Sequence, residues 1–196
     1  PFSIFSDGSW SSTGSPWSHI TGDSPTHHGA VGIAIISDLP NWRDLPIIIL
    51  QIDNGQELGS LAAYSMEVLG IFIGMSIGSQ LLNPDFTIFS DCQAAVKKLH
   101  KLRNRVTTIR SKTRDASLLS ATISRWNSME GVNVTWVKGH PEREEPDASL
   151  WTREMWGNHL SDRAAAGVLN CSKTYQFQNL YSNLLTITPF PPLDAL

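Results

Sequence analysis

Three apolar runs precede the first segment long enough to be a helix, and after that point strands and helices alternate. Residues 2–6, 29–36 and 47–53 read as strands, the second an unbroken apolar run, Gly29-Ala-Val-Gly-Ile-Ala-Ile-Ile36. A turn at 38–46 with Pro40 and Pro46 separates the second from the third, so the three can form an antiparallel meander. A helix is predicted over 58–82, a strand over 85–90, helices over 92–102 and 117–129, a β-branched strand over 132–137, and a last helix over 158–169. This β-β-β-α-β-α-α-β-α order predicts an α/β fold, a mixed sheet with helices on its faces. Residues 11–28, rich in Ser, Gly, Pro and Thr, read as a loop.

The 196 residues suit one domain with a real core better than two, and 41% hydrophobic with 17% charged residues excludes a disordered chain. We expect a domain over 1–170 and a tail or linker over 171–196, loosely held or leading into another domain. The opening strand-like run without a Met fits a domain of a longer protein. Cys92 and Cys171 form no CxxC pair and no zinc-like spacing with His19, His27, His28 or His159, so a reducing, intracellular setting is expected, with nucleus and cytoplasm both open. Residues 61–82 are apolar, with Gly70, Gly74 and Gly78 four apart, a spacing also used by membrane helices. Ser65, Glu67, Ser76 and Ser79 interrupt the run, so we expect a buried amphipathic helix and no membrane span.

Net charge is −3, but it is unevenly spread. Lys97, Lys98, Lys101, Arg103, Arg105, Arg110, Lys112 and Arg114 lie together with no acid among them. Of fifteen Lys and Arg, seven remain to face all eighteen Asp and Glu, so this segment is +8 and the remainder −11. A cationic stripe on an acidic body suits a polyanion touched at one place, although a solvated helix face would look the same.

Four acids fall at informative places. Asp7 and Asp91 each follow an apolar strand, Glu67 lies between Met66 and Val68 in an apolar helix, and Asp162 is expected near the start of the last helix, four residues after Asn158. Singly, each has an ordinary explanation: a turn, a helix cap, a solvent-facing Glu, a charge favouring a helix N-terminus. Brought together, they would repel and raise one another's pKa values, a cost that divalent cations relieve. Oxygen ligands of this kind suit Mg²⁺, or Mn²⁺ in its place.

The local strings around these acids resemble the type 1 ribonuclease H family. Phe5-Ser6-Asp7-Gly8-Ser9 resembles its DGS motif, Met66-Glu67 its helix ME, and Phe89-Ser90-Asp91-Cys92-Gln93 its D-S-Q. Thr135-Trp136-Val137-Lys138-Gly139-His140-Pro141-Glu142 resembles its W-V-K-G-H segment, and Asn158-His-Leu-Ser-Asp162-Arg-Ala-Ala its N-x-x-x-D-x-x-A. All five occur in the family's order. The departures are Ala63 and Tyr64 in place of a polar pair, Cys92 in place of serine, and an insert at 143–156 whose role is not readable from sequence.

The resemblance implies a ribonuclease H-like mixed five-stranded sheet, three antiparallel strands then two parallel, with helices on both faces. It implies an endonuclease that cuts the RNA strand of an RNA–DNA hybrid with two Mg²⁺ ions. Asp7, Glu67, Asp91 and Asp162 are implied as metal ligands and His140 as a mobile catalytic histidine. Asn158 is implied as an orienting residue, and Gly8, Ser9 and Gln93 as contacts to the RNA strand. The stripe bearing Lys97, Lys98, Lys101, Arg103 and Arg105 resembles the family's handle on hybrid backbone. The pattern is also similar to the ribonuclease H domain of a retroelement polyprotein, where a reverse transcriptase is the neighbour; a cellular enzyme stays open. The competing reading is a non-catalytic module of the same fold that binds nucleic acid or a partner.

Overall fold

The computed structural model describes residues 2–11, 28–45, 47–53, 63–80, 85–110, 115–167 and 173–176. Its strands are β1 (Phe2–Ser11), β2 (His28–Ser37), β3 (Ile48–Asp53), β4 (Phe86–Ser90), β5 (Asn133–Trp136) and β6 (Lys173–Gln176). Its helices are α1 (Ala63–Gly78), α2 (Gln93–Arg103), α3 (Ala116–Asn127) and α4 (Arg153–Ala165). The sheet order is β5-β4-β1-β2-β3-β6. β1, β2 and β3 form the expected antiparallel meander, and β4 and β5 run parallel to β1. The expected five-stranded mixed sheet is present. β6, inside the stretch expected to be a tail, adds a sixth strand parallel to β3. Most of the loop expected at 11–28, and residues 177–196, lie outside the described residues.

Alternation along β2 divides the molecule into a thick and a thin face. Val31, Ile33 and Ile35 point into the main core, where they meet Ile4, Leu50, Ile52, Ile88 and the apolar residues of α1. On the opposite face the same strand offers Ala30, Gly32 and Ala34. Those small residues let α4 lie almost on the sheet: a methyl group on Gly32 would run into the Ser161 carbonyl. From Ala30 to Ile35 the run that reads as uniformly apolar is therefore an alternation of size, and Ile36 is the one large side chain it turns to the thin face.

Helix α1 was expected to be amphipathic, and it is not. Twelve of its sixteen residues are buried, because the sheet covers one side and α2 and α3 cover the other. Gly70, Gly74 and Gly78 face the sheet, against Val31, Ile4 and Phe86 in turn, the close approach that their spacing implied. Among the described residues no helix is long and apolar enough to cross a membrane.

Two boundaries matter for the site. β1 runs to Ser11, so Asp7 is not past a strand end but inside β1, paired with Gly32. Pairing between β1 and β4 stops at Phe5 and Phe89, so a cleft opens beside Asp7 where β4 has ended. α4 begins at Arg153, capped by the Thr152 hydroxyl, which accepts from Met155 N–H at 3.3 Å. Asp162 is thus in the last part of α4 rather than its start, where the helix dipole disfavours a carboxylate. The Thr152 cap lies within the insert at 143–156, whose irregular sequence hides it.

Candidate active site

Asp7, Glu67 and Asp91 each place a carboxylate oxygen within 4.8 Å of the other two. They arrive from a strand, a helix and the residue after β4, and only close backbone contact makes that meeting possible. At Gly8 an added Cβ would sit 2.5 Å from Glu67 N, so β1 and α1 touch backbone to backbone. The Gly8 N–H donates to the Glu67 carboxylate, and Asp7 shares a side-chain hydrogen bond with it. Gly139 does the same for Asp91: a methyl there would strike its Oδ2. The Trp136 Nε1–H donates to the Asp91 carbonyl at 3.0 Å and pins the turn that carries it.

The electrostatics are those of crowded anions. Asp7, only 7% exposed, is pushed well above the usual carboxylate range by burial first and then by Glu67, Asp91 and Asp162. Glu67 is pushed up to about 8, by burial and then by Asp91, against the hydrogen bonds from Asp7 and Gly8. Burial also raises Asp91, opposed chiefly by Asn158 and then by the charge of His140. Glu67 Oε2 is buried with no hydrogen-bond partner. An orphaned carboxylate oxygen among other carboxylates is what a hard cation would satisfy, so the residues fit a divalent metal.

Asp162 is outside the tight trio. It acts on all three members through its charge, from the α4 side of the cleft. Asn158 is 1% exposed and lies beside Asp91, although its Nδ2 stops short of a full hydrogen bond. His140 is at the tip of the next loop with left-handed backbone, φ 56 and ψ 59. Cys92 is a free, half-buried thiol that burial pushes up.

The remaining expected contacts are elsewhere or otherwise engaged. Ser9 continues β1 beyond Gly8 and is half-buried. Gln93 opens α2, where its Oε1 accepts from Lys97 Nζ at 2.9 Å. Lys97 and Lys101 are exposed on one side of α2, Lys98 is half-exposed, and Arg105 is exposed just beyond it. Arg103 is different: its guanidinium lies 4.3 Å over the Trp126 ring and donates to the Val132 carbonyl at 3.5 Å. Lys112 and Arg114 lie outside the described residues. The sequence reading missed the Trp136 and Gly139 supports to Asp91. Both stand in the W-V-K-G-H string, but nothing in a linear pattern says which strand end they touch.

No protein-family model matches the chain, and no curated protein matches it in sequence. Solved structures do match it. The prototype foamy virus protease–reverse transcriptase superposes with a TM-score of 0.60 at 13% identity, over 88% of this chain and 21% of that one. The isolated foamy virus RNase H domain, in its solution structure, gives 0.60 at 16% identity over 85% of this chain and 93% of its own. The fold is that of ribonuclease H. RNase H1 of the halophilic archaeon Halobacterium salinarum gives a TM-score of 0.52 at 14% identity, covering 86% of this chain and 97% of that one. The chain thus spans 21% of the viral protease–reverse transcriptase, but 93% of the foamy virus RNase H domain and 97% of the archaeal RNase H1 chain.

Proposed function

We propose that this chain is a ribonuclease H that cleaves the RNA strand of RNA–DNA hybrids. The observation that carries the reading is the Asp7, Glu67 and Asp91 trio, with oxygens within 4.8 Å and one buried oxygen orphaned. Those three residues, with Asp162 across the cleft, would hold two Mg²⁺ ions. Bound there, the ions would neutralise the crowded carboxylates and supply an activated water and charge stabilisation for phosphodiester hydrolysis.

The chain's own residues do the rest. Gly8 and Gly139 let backbone approach Glu67 and Asp91 closely, so both carboxylates are held before substrate arrives. Asn158 and Trp136 restrain Asp91 from two sides. His140, exposed on its loop, would carry a proton to or from the scissile phosphate or the departing strand. Lys97, Lys101 and Arg105 present an exposed cationic edge that grips hybrid backbone without reading sequence. Discrimination of RNA from DNA then rests on groove shape and 2′-hydroxyls near Ser9 and Gln93.

The foamy virus protease–reverse transcriptase has been solved with an RNA/DNA hybrid bound, and superposes on this chain with a TM-score of 0.58 at 13% identity. That complex supports a hybrid as substrate and a reverse transcriptase as the neighbouring domain; on this proposal 1–170 is the catalytic unit and the protein acts inside the cell, both taken from the sequence. The test is cleavage of a labelled hybrid with Mg²⁺, with EDTA, and against duplex RNA and duplex DNA. RNA-strand cuts that depend on metal and on the hybrid support the reading; an intact hybrid at saturating Mg²⁺ sinks it.

A further inference from the structure

Glu142 lies between two imidazoles. Its Oε1 is 3.4 Å from Nδ1 of His140, and its Oε2 is 3.7 Å from Nδ1 of His159. The first histidine is on the loop; the second is on α4, three residues before Asp162. Each end of this chain of contacts reaches the acid cluster, His140 acting on Asp91 and Asp162 acting on His159.

The loop that carries Glu142 is folded on itself. His140 holds left-handed backbone, φ 56, which a non-glycine residue keeps only where its surroundings impose it. The Arg143 N–H donates to the His140 carbonyl at 3.1 Å, and the Glu144 and Glu145 N–H groups both reach the Pro141 carbonyl at 3.0 Å. Lys138 pairs with Glu144 across the base of the loop. The far end is tied down by the insert, since Trp151 Nε1–H donates to the Glu145 carbonyl at 2.7 Å.

That same Trp151, 4% exposed, meets His159 edge to face with centroids 4.9 Å apart, and Trp156 flanks the imidazole at 6.3 Å. His159 is therefore wedged in place. Its Nδ1 is buried with no hydrogen-bond partner, facing Glu142. We propose that Glu142 is a positioning residue, which ties the loop histidine His140 to His159 as a fixed post on α4 and so keeps the His140 imidazole beside Asp91. The insert at 143–156 is the brace for this arrangement. Its catalytic consequence rests on the ribonuclease H reading; the geometry does not.

The groups that bear on the two histidines are Glu142 on both, Asp91 on His140, and Asp162 and Arg163 of α4 on His159. Burial holds His159 below the usual histidine range, while Glu142 pulls it up. The full chain is compared with E142Q and E142D in two measurements. The first is steady-state cleavage of an RNA–DNA hybrid at saturating Mg²⁺. E142Q is expected to lower kcat roughly tenfold with KM moved less than about twofold, and E142D to recover most of the loss, as for a group that orients a proton carrier.

The second measurement needs no activity: NMR of the amides of 138–140 and 142–145 and of the His159 imidazole, without substrate or metal. E142Q is expected to loosen those amides and to lower the His159 titration midpoint. An active enzyme whose kcat is unmoved by E142Q overturns the proposal, and so do loop amides and a His159 midpoint that stay as in the parent chain. Should the parent chain fail to cleave, the nuclease reading falls, while the NMR arm still decides whether Glu142 anchors the loop.

Discussion

On one face of the sheet, twenty-three buried apolar residues form a continuous core with α1, α2 and α3, whereas on the other the buried apolar cluster beneath α4 is just Phe5, Ala34 and Ile36, beside the small buried Ala30, Ala164 and Ala165, among the described residues. The thick face is filled by large side chains and the thin face by backbone contact at Gly32. The difference separates two tasks. Apolar area on the thick face supplies most of the stability. The thin face supplies proximity, bringing α4 near enough to the sheet for Asn158 and Asp162 to face Asp7 and Asp91. Glu67 comes from the thick side and reaches the cleft only because Gly8 has no side chain.

The largest effect belongs to the cleft between the faces. Asp91→Asn is expected to lower hybrid cleavage by about 10³-fold or more, the loss of several kcal/mol of cation-dependent charge stabilisation, with an unchanged circular dichroism spectrum. Near-parental cleavage would remove Asp91 from the site. Next, the faces can be set against each other by thermal or urea unfolding. Ile71→Ala, 0% exposed on the thick face, is expected to cost about 2–5 kcal/mol. Leu160→Ala, half-buried on the thin face, should cost about 1–2 kcal/mol. Equal costs would break the comparison.

A smaller effect tests the crowding of the acids. Folding raises Glu67 from an ordinary 4.5 to about 8, and Asp7 moves the same way. A carboxyl raised on folding favours the native state while protonated, so its contribution is complete below the unfolded pKa and is lost as pH rises through about 8. In EDTA the chain should therefore melt lower at alkaline than at mildly acidic pH. E67Q should remove much of that drop, a gain on the order of 2 kcal/mol at the alkaline end. Mg²⁺ should stabilise the parent chain most where the drop is largest. An E67Q melting curve parallel to the parent's across the whole pH range would mean Glu67 carries no such load.

The smallest effect concerns the exposed edge of α2, which belongs to neither core. Replacing Lys97, Lys101 and Arg105 with Ala is expected to flatten the log-log salt dependence of hybrid binding by about 2–3, close to one for each lost phosphate contact. Arg103→Ala should instead destabilise the fold, because its guanidinium is spent on Trp126. If Arg103→Ala changes the salt slope and leaves the melting temperature alone, that division of the basic residues is wrong.

The sequence by itself determined the element order, and with it the meander, the parallel strands and the acids that a cation could join. These are local properties: periodicity, β-branching and the residue types at strand ends survive in a linear reading. It also marked α1 as a glycine-spaced helix that would pack closely. Only the tertiary structure decided that Asp7 lies inside β1, that Asp162 falls late in α4, and that Arg103 serves Trp126 rather than the surface. It alone revealed β6 and the contact of Glu142 with two histidines. Each of these depends on which backbones can touch, and that is settled by the absence of a Cβ at a few glycines and by partners far apart in the chain. Periodicity carries no record of either.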